Sequence, residues 1–379
     1  MAEADRLTLR IGSGVADVPA AAWDALHDGG NPFVSHAFLA LLETSGSVGP
    51  GTGWQAAPLL VEEAAGKFLA AAPAYVKGHS QGEYVFDHSW ADAWARAGGD
   101  YYPKLQIAVP FTPVPGPRLL GQDSDAIALL IQGAEAVVRG NNLSSAHATF
   151  IAPGQLPLFE RAGWLPRRDI QFHFTNPGYR DFDDFLSTLT AARRKQLKKE
   201  RARAATELRL ENRSGSAITP ADWDAMWHFY QDTGARKWGQ PYLTRAAFAA
   251  MASTMADQII MSLAYDGEVP VAGAMHFVGT DTLYGRYWGA RCDIPYLHFE
   301  LCYYQAIEIA IARGLKTVEA GAQGGHKLAR GYAPVATWSA HFIADAGFRR
   351  AVAEFLERER AAGEVEAHFL AQHLPFKKV

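Results

Sequence analysis

The sequence runs through one pattern of signals twice, about 200 residues apart. Trp23-Asp24-Ala25-Leu26 returns as Trp223-Asp224-Ala225-Met226, and Pro32-Phe33-Val34-Ser35 returns as Pro241-Tyr242-Leu243-Thr244. Ala71-Ala72-Pro73-Ala74-Tyr75-Val76-Lys77-Gly78 is echoed by the segment 271–279. Between the echoes both halves run helix, turn, helix, strand, strand. Solenoid repeats have periods of roughly 20–50 residues, so a period this long means one domain duplicated and fused. Two such domains side by side create a cleft, and function is expected there.

A chain of 379 residues has room for two or three domains. The net charge of -4 gives no global attraction to nucleic acid or to an anionic membrane, so any basic surface is local. Cys292 and Cys302, the two cysteines, cannot form a disulfide framework and are too few for a structural zinc site. No stretch approaches the about 18 apolar residues that cross a bilayer. Met1 to Asp5 hold no apolar core, so no signal peptide and a cytoplasmic location are expected. The 10 Trp, 14 Tyr and 20 Phe either fill large cores or line a deep acyl or acceptor pocket.

Periodicity predicts a strand at 7–11, a helix to about His27, and a helix from Ser35 to Glu43. Strands are predicted at 55–62 and 67–77, and the polar, aromatic stretch 79–117 reads as an irregular functional loop. A helix at 123–139, a strand at 145–151, a short helix at 155–162 and a strand at 169–175 close the first half. Residues 181–205 read as one helix, with Asp183 and Asp184 in its first turn. Within 191–203, Arg193, Arg194, Lys195, Lys198, Lys199, Arg201 and Arg203 face the lone acid Glu200. The second half predicts helices at 221–234 and 244–256, then strands at 258–265, 269–278 and 281–289. A helix at 297–313, a strand at 315–320, a short helix at 326–331, a strand at 335–343 and a helix at 347–371 follow. The domains expected are 1–180, a basic helical connector at 181–217, and 218–379.

This order resembles that of GNAT acyltransferase domains, and Leu158-Phe159-Glu160-Arg161-Ala162-Gly163-Trp164 resembles the short helix and turn that close many of them. The duplication and the basic helix between the halves resemble the FemAB-like transferases. Further phrases are similar to a bacterial family of N-acyltransferases described by peptidoglycan biosynthesis or recognition. They are Phe86–Ala91, Tyr101–Gln106, Val109–Pro113, Arg236-Lys237-Trp238-Gly239, Leu283–Gly289, His298–Tyr304, Glu319–Gly324 and His326–Tyr332. The resemblance implies an α+β fold of mixed sheets, two tandem GNAT-like acyltransferase domains with the basic helix between them. It also implies direct transfer of an acyl group from a carrier to an amine, with no tightly bound cofactor.

Direct transfer requires a splayed strand pair for the donor, backbone amides at a helix N-terminus for its pyrophosphate, and a base. Neither Gly289–Tyr296 nor Val114–Gly121 is the usual GNAT pyrophosphate loop, which leaves acyl-CoA, an acyl carrier protein and aminoacyl-tRNA open as carrier. Glu319-Ala320-Gly321 ends a strand, and His326, Lys327 and Arg330 follow on a helix start suited to phosphate or a developing oxyanion. Lys327 resembles the lysine of the corresponding helix in Fem transferases, which implies contact with a substrate phosphate or carbonyl. The alternative is a solvated helix face. Arg286 is expected beside the cleft, against a ligand or in a salt bridge to Glu300 or Glu319. Glu300 or His298 is expected as general base, alternatively as a cap; no Pro-Cys-x-x-Cys follows, so no metal is expected. Asp87, His88, Trp90, Lys104 and Trp288 form the expected acceptor site, and the first-half cluster is alternatively a loop tied down by its own bonds.

The helix 191–203 is expected to meet a tRNA or an acidic carrier protein; with no aromatic in the run, base stacking is not indicated and no DNA partner is expected. A small-molecule amine is the expected acceptor. The function read here is N-acyl transfer from acyl-CoA or an acyl carrier protein. The alternatives are an aminoacyl-tRNA-dependent Fem-type peptidyltransferase and an inactive GNAT-fold binding module.

Overall fold

Caps and prolines set the element boundaries. The computed structural model describes residues 7–206, 208–238, 241–321 and 324–377, with only the backbone of 235–238. The phrase Arg236-Lys237-Trp238-Gly239 and the pair Ala322-Gln323 therefore lie wholly or partly outside the described side chains. The chain begins with β1 (Thr8–Ile11), α1 (Ala20–Asp24) and α2 (His36–Thr44). Ser35 caps α2, its hydroxyl accepting from Phe38 N at 3.2 Å. In place of two strands over 55–77 there are four, β2 (Trp54–Ala56), β3 (Leu59–Glu62), β4 (Phe68–Ala72) and β5 (Ala74–Lys77). Pro58 and Pro73, which offer no N–H to a ladder, make the breaks. The stretch expected to be irregular contains α3 (His88–Arg96) and β6 (Lys104–Ile107). β7 (Leu120–Gly121), α4 (Ser124–Gly140), β8 (Ser145–Ile151), α5 (Leu156–Arg161) and β9 (Leu165–Thr175) come next.

The single helix expected over 181–205 is two, α6 (Phe182–Thr188) and α7 (Ala191–Ala204). Leu189 and Thr190 between them are extended, Leu189 bridging to Phe376 and Thr190 N donating to Pro375 O at 3.0 Å. Asp183 and Asp184 therefore complement the dipole of α6 only, and α7 opens on cations. β10 (Arg209–Ser214), α8 (Pro220–Trp238), α9 (Arg245–Thr254), β11 (Ile259–Asp266), β12 (Val269–Val278) and β13 (Thr282–Ala290) follow. A helix over 297–312 then carries a π-helical turn, Glu300–Tyr304, between α10 (Leu297–Phe299) and α11 (Gln305–Ala312). β14 (Thr317–Glu319), a 3-10 segment Gly325–Arg330, β15 (Ala333–Ile343) and α12 (Ala346–Gln372) complete it. No helix among the described residues is long and apolar enough to cross a membrane.

Two compact units result, and neither is a contiguous half. Unit 1 takes the chain up to Asp169 with Ala336–Glu364, and unit 2 takes Ile170–Val335 with the residues from Val365. Boundaries at 180 and 217 miss this division because the halves trade their closing strands. Phe172 and Phe174 of β9 bury beside Phe185, Tyr304 and Tyr332 in unit 2, where His173 pairs opposite Glu319 of β14. In return Ala340 and Phe342 of β15 join Phe159 and Trp164 in the unit 1 core, where β15 pairs with β8. Helix α7, expected as a connector, belongs to unit 2 and buries Leu197, Glu200 and Ala204. Unit 1 orders its strands β2-β5-β6-β8-β15, with β1-β3-β4-β7 as a second sheet; unit 2 orders them β10-β11-β12-β13-β14-β9. One parallel pair occurs in each, β6 with β8 and β13 with β14, at equivalent places in the two halves.

The exchange sets two histidines face to face in the unit 1 core. Their Nδ1 atoms are 2.7 Å apart in His147 and His341, both fully buried, so one nitrogen donates and the other accepts and both rings are neutral. Ser145 and Tyr101 contact His147, and Trp90 packs edge-on against His341. Asp87, Lys104 and Arg167 are the charged groups facing the pair. Burial, reinforced by Lys104, lowers His147 to about 3, and burial, reinforced by His147, holds His341 well below the usual imidazole range. In the unfolded chain these rings titrate near about 6.5. Their contribution is thus complete above that value and lost as pH falls toward about 3, by up to ~1.4 kcal/mol per pH unit and per histidine. Thermal melts between about pH 7 and pH 4 should show a steep drop in Tm that a His147→Gln/His341→Leu variant flattens.

Candidate active site

Parallel strands that part leave backbone groups to be satisfied elsewhere. β13 and β14 pair only over Thr282–Tyr284 and Thr317–Glu319. Beyond Tyr284, β13 keeps β12 on one side and has no pairing strand on the other among the described residues. A bulge falls at the divergence: Met275 faces Tyr287 and His276 faces Gly285, so Arg286 is the extra residue. Such bulges re-aim side chains beside active sites. Gly289 lets α8 lie directly on this run, since a Cβ there would come within 2.1 Å of Phe229 O. In unit 1 the corresponding parting is filled by the chain itself. Past the pairs Leu105–Ile107 and Ala146–Ala148, Gly116 bridges Ile151, and Gly116 N donates to Phe150 O at 3.0 Å. Fully buried Arg118 donates to Thr149 O at 2.9 Å and to Val114 O at 2.5 Å.

Unit 2 gathers an aromatic and imidazole cluster against β13 past its divergence from β14. The Trp288 ring lies 5.1 Å from His298, which lies 5.4 Å from Tyr303 and 6.3 Å from His326. Tyr303 OH and His326 Nε2 are 3.1 Å apart. Tyr303 would stand about 140° round a regular α-helix from His298. The wider π-helical turn brings it back beneath that ring, a distortion common at functional sites. Burial pushes the Tyr303 hydroxyl well above its ordinary range. Sequence spacing identified His298, His326 and Trp288, which meet here, and missed Tyr303, whose position depends on the π turn.

The cations expected to bind donor phosphate are engaged internally. Arg286 donates to Glu319 Oε1 at 2.7 Å and to Gly285 O at 2.9 Å, its side chain 3% exposed. Lys327 Nζ donates to Ala320 O at 2.6 Å and Gly321 O at 3.0 Å, closing the turn after β14. Arg330 donates to Glu200 Oε2 and to His326 O, each at 2.7 Å, with its guanidinium 3.5 Å from the Phe299 ring centre. Glu200 also accepts from Tyr304 OH at 2.5 Å and Gln196 at 2.9 Å. The lone acid of α7 thus clamps the segment that carries His326. Beside Arg286, His173 is lowered to about 4 by burial and by the charges of Arg286 and Lys327.

Glu300 points away from the imidazole cluster. Its carboxylate accepts from Arg201 at 2.9 and 3.0 Å and from Gln305 at 2.8 Å, and Arg201 also holds Glu308. A buried carboxylate held this way is an anchor for α7, and a base would have to break that pair first. Beyond Gln305 the bonds continue through Asn212 and Ser262 to His276, which burial lowers to about 4. A groove of about 610 Å³ beside this network is lined by Asp181, Phe182, Lys198, Arg201, Glu300 and Glu308 among others.

The expected acceptor residues of the first half are mostly sealed. Lys104, fully buried, donates to Ser80 at 2.9 Å, Glu83 at 2.7 Å and Asp87 at 2.5 Å. Burial opposes the Asp87 charge, but Lys104 outweighs it and holds the carboxyl well below the usual range. Lys77 sits directly opposite Lys104 in the ladder, a like-charge pairing that Glu83 offsets from between them. Burial lowers Lys77 to about 7 and raises Glu83 to about 7. Trp90 is buried against His341, and His88 alone of the four reaches the surface. These residues form an internal network, the alternative the sequence left open. Among the described residues no three His, Cys, Asp or Glu side chains are placed to share a metal ion.

The comparisons with known proteins agree with this architecture. Residues 14–378 match the FemAB-like family, described as peptidoglycan biosynthesis/recognition. No curated protein matches the chain. Among solved structures, FemX superposes with a TM-score of 0.54 at 10% identity over 89% of this chain and 98% of its own. A conserved protein of unknown function from Bacteroides thetaiotaomicron gives 0.53 at 10% identity, over 88% and 100% of the two chains. L-PGS from Bacillus licheniformis gives 0.51 at 10% identity, over 81% and 91%. At such identity these establish the fold alone, an α+β arrangement with a mixed sheet in each unit. With nearly its whole length matched, the chain belongs to the FemAB-like family.

Proposed function

We propose that this chain is an N-acyltransferase that moves an acyl group from an activated carrier, acyl-CoA or an acyl carrier protein, directly to an amine. The reacting groups are held in unit 2. The observation that carries the reading is the parting of β13 from β14 at the Arg286 bulge, bordered by His298, Tyr303 and His326. A thioester entering where the two strands part meets backbone groups that the short β13–β14 ladder does not use.

The amine nitrogen attacks the thioester carbonyl; the C–N bond forms as the C–S bond breaks, without a covalent enzyme intermediate. The surplus proton of the amine passes to His326, and the leaving thiolate takes the proton of Tyr303. Burial keeps Tyr303 protonated, and its 3.1 Å contact with His326 returns the proton after release. Glu300, first read as a base, anchors Arg201 in this scheme, and Arg286, Lys327 and Arg330 hold the site's backbone and His326. A second reading keeps the same attack with an aminoacyl-tRNA ester as donor and a cell-wall precursor as acceptor; the peptidoglycan description of the matching family favours it.

Incubation with acyl-CoAs, acyl carrier proteins and charged tRNAs, with amide product followed by mass spectrometry, tests the reading. Turnover that survives ribonuclease treatment selects the first donor class, and loss of turnover selects the second. No product from any donor leaves the binding module. His326→Ala should lower kcat about 100-fold or more while changing KM little. Tyr303→Phe should lower kcat by about tenfold at unchanged fold, since only the proton donor is lost; wild-type kcat in both variants would remove this pair from the mechanism.

A further inference from the structure

We infer that the outer face of α7 is the docking surface for an acidic carrier protein; the inference rests on the transferase reading above. α7 turns Leu197, Glu200 and Ala204 inward and leaves Lys195, Lys198, Lys199 and Arg203 exposed, with Arg194 half-buried. Lys195, Lys199 and Arg203 stand four residues apart in one row, and Arg194 and Lys198 make a second row beside it. Like charges at that spacing destabilise a helix, and cations in its first turn oppose the dipole. Local stability therefore does not account for them. Lys198 pairs with exposed Asp183 at 3.1 Å, and the other four have no ion-pair partner among the described residues. Three alanines, Ala191, Ala192 and Ala202, are exposed on the same helix and leave its surface smooth enough for a partner's helix to lie against it.

The extent of the surface argues for a protein over RNA. The row from Lys195 to Arg203 spans about 12 Å, the length of a short helix. A nucleic-acid backbone is charged along its whole length and would run past that row. On the Lys198 side it would meet the groove that carries Asp181, Asp183 and Glu308. A compact patch of Asp and Glu on a small protein meets the cations and stops short of those carboxylates. The helix is also tied to the reacting groups. Glu200 on its inner face holds Arg330, which holds the backbone of His326, so a carrier seated on α7 is registered against the segment that reacts.

The test uses the full chain and a fluorescently labelled, phosphopantetheine-bearing acyl carrier protein, with total tRNA as a second probe. Fluorescence anisotropy should show carrier binding that weakens as salt rises. The variant Lys195→Glu/Lys199→Glu/Arg203→Glu should weaken it about tenfold or more with an unaltered circular dichroism spectrum. If that variant does not fold, Lys195→Gln/Lys199→Gln/Arg203→Gln should give a smaller loss in the same direction. Carrier affinity unchanged in a folded variant would overturn the assignment, as would binding of tRNA and not of the carrier. Wild-type turnover of acyl-CoA without carrier binding would overturn the docking surface and leave the transferase reading standing. Absence of turnover with every donor would remove both.

Discussion

A parallel strand pair that parts after three residues leaves main-chain N–H and C=O groups that something must satisfy. This chain contains the problem twice, once in each unit. In unit 1 the answer is internal: Gly116 bridges to β8, and the buried Arg118 guanidinium takes up the carbonyls of Val114 and Thr149. In unit 2 the β14 ladder ends at Tyr284, and β13 continues past the Arg286 bulge paired with β12. The imidazoles, Tyr303 and the π-helical turn all collect beside the divergence in unit 2.

The charges of unit 2 serve that geometry. Arg286 with Glu319 fixes the bulge, Lys327 fixes the turn after β14, and Arg330 with Glu200 fixes the backbone of His326 against α7. Buried ion pairs contribute little net stability, because desolvation offsets their attraction, yet removing one partner strands a charge in the interior at roughly 3–5 kcal/mol. They are therefore well suited to holding positions. A consequence is that none of these three cations is available for a donor's phosphates without breaking a buried ion pair or, for Lys327, its two bonds to backbone carbonyls. A row of exposed cations lies instead on the outer face of α7.

Most elements were legible from the sequence, because periodicity, Ser35 and the prolines mark them directly. β8 at 145–151 and β12 at 269–278 match their expected limits. What local signals could not convey was partnership. The strand at 169–175 looked like the close of the first half, but Phe172 and Phe174 pack in unit 2, and nothing in their alternation says which core receives them. The helix expected over 181–205 breaks at Leu189 because of a contact with Phe376, nearly 190 residues away. At the site, residue type identified His298, His326 and Trp288 but not orientation: Glu300, two positions from His298, turns to the opposite side of its helix. Asp87 and Lys104 were found as a cluster, while their complete burial comes from tertiary packing.

The central claim is that the acyl donor lies where β13 and β14 part in unit 2. Amide hydrogen exchange with and without the donor that supports turnover addresses it directly. Protection should rise in peptides covering 285–291 and 296–304, with 114–118 and 149–152 unaltered. Protection gained at 114–118 and 149–152, with 285–291 unchanged, would put the donor in unit 1 and contradict the assignment.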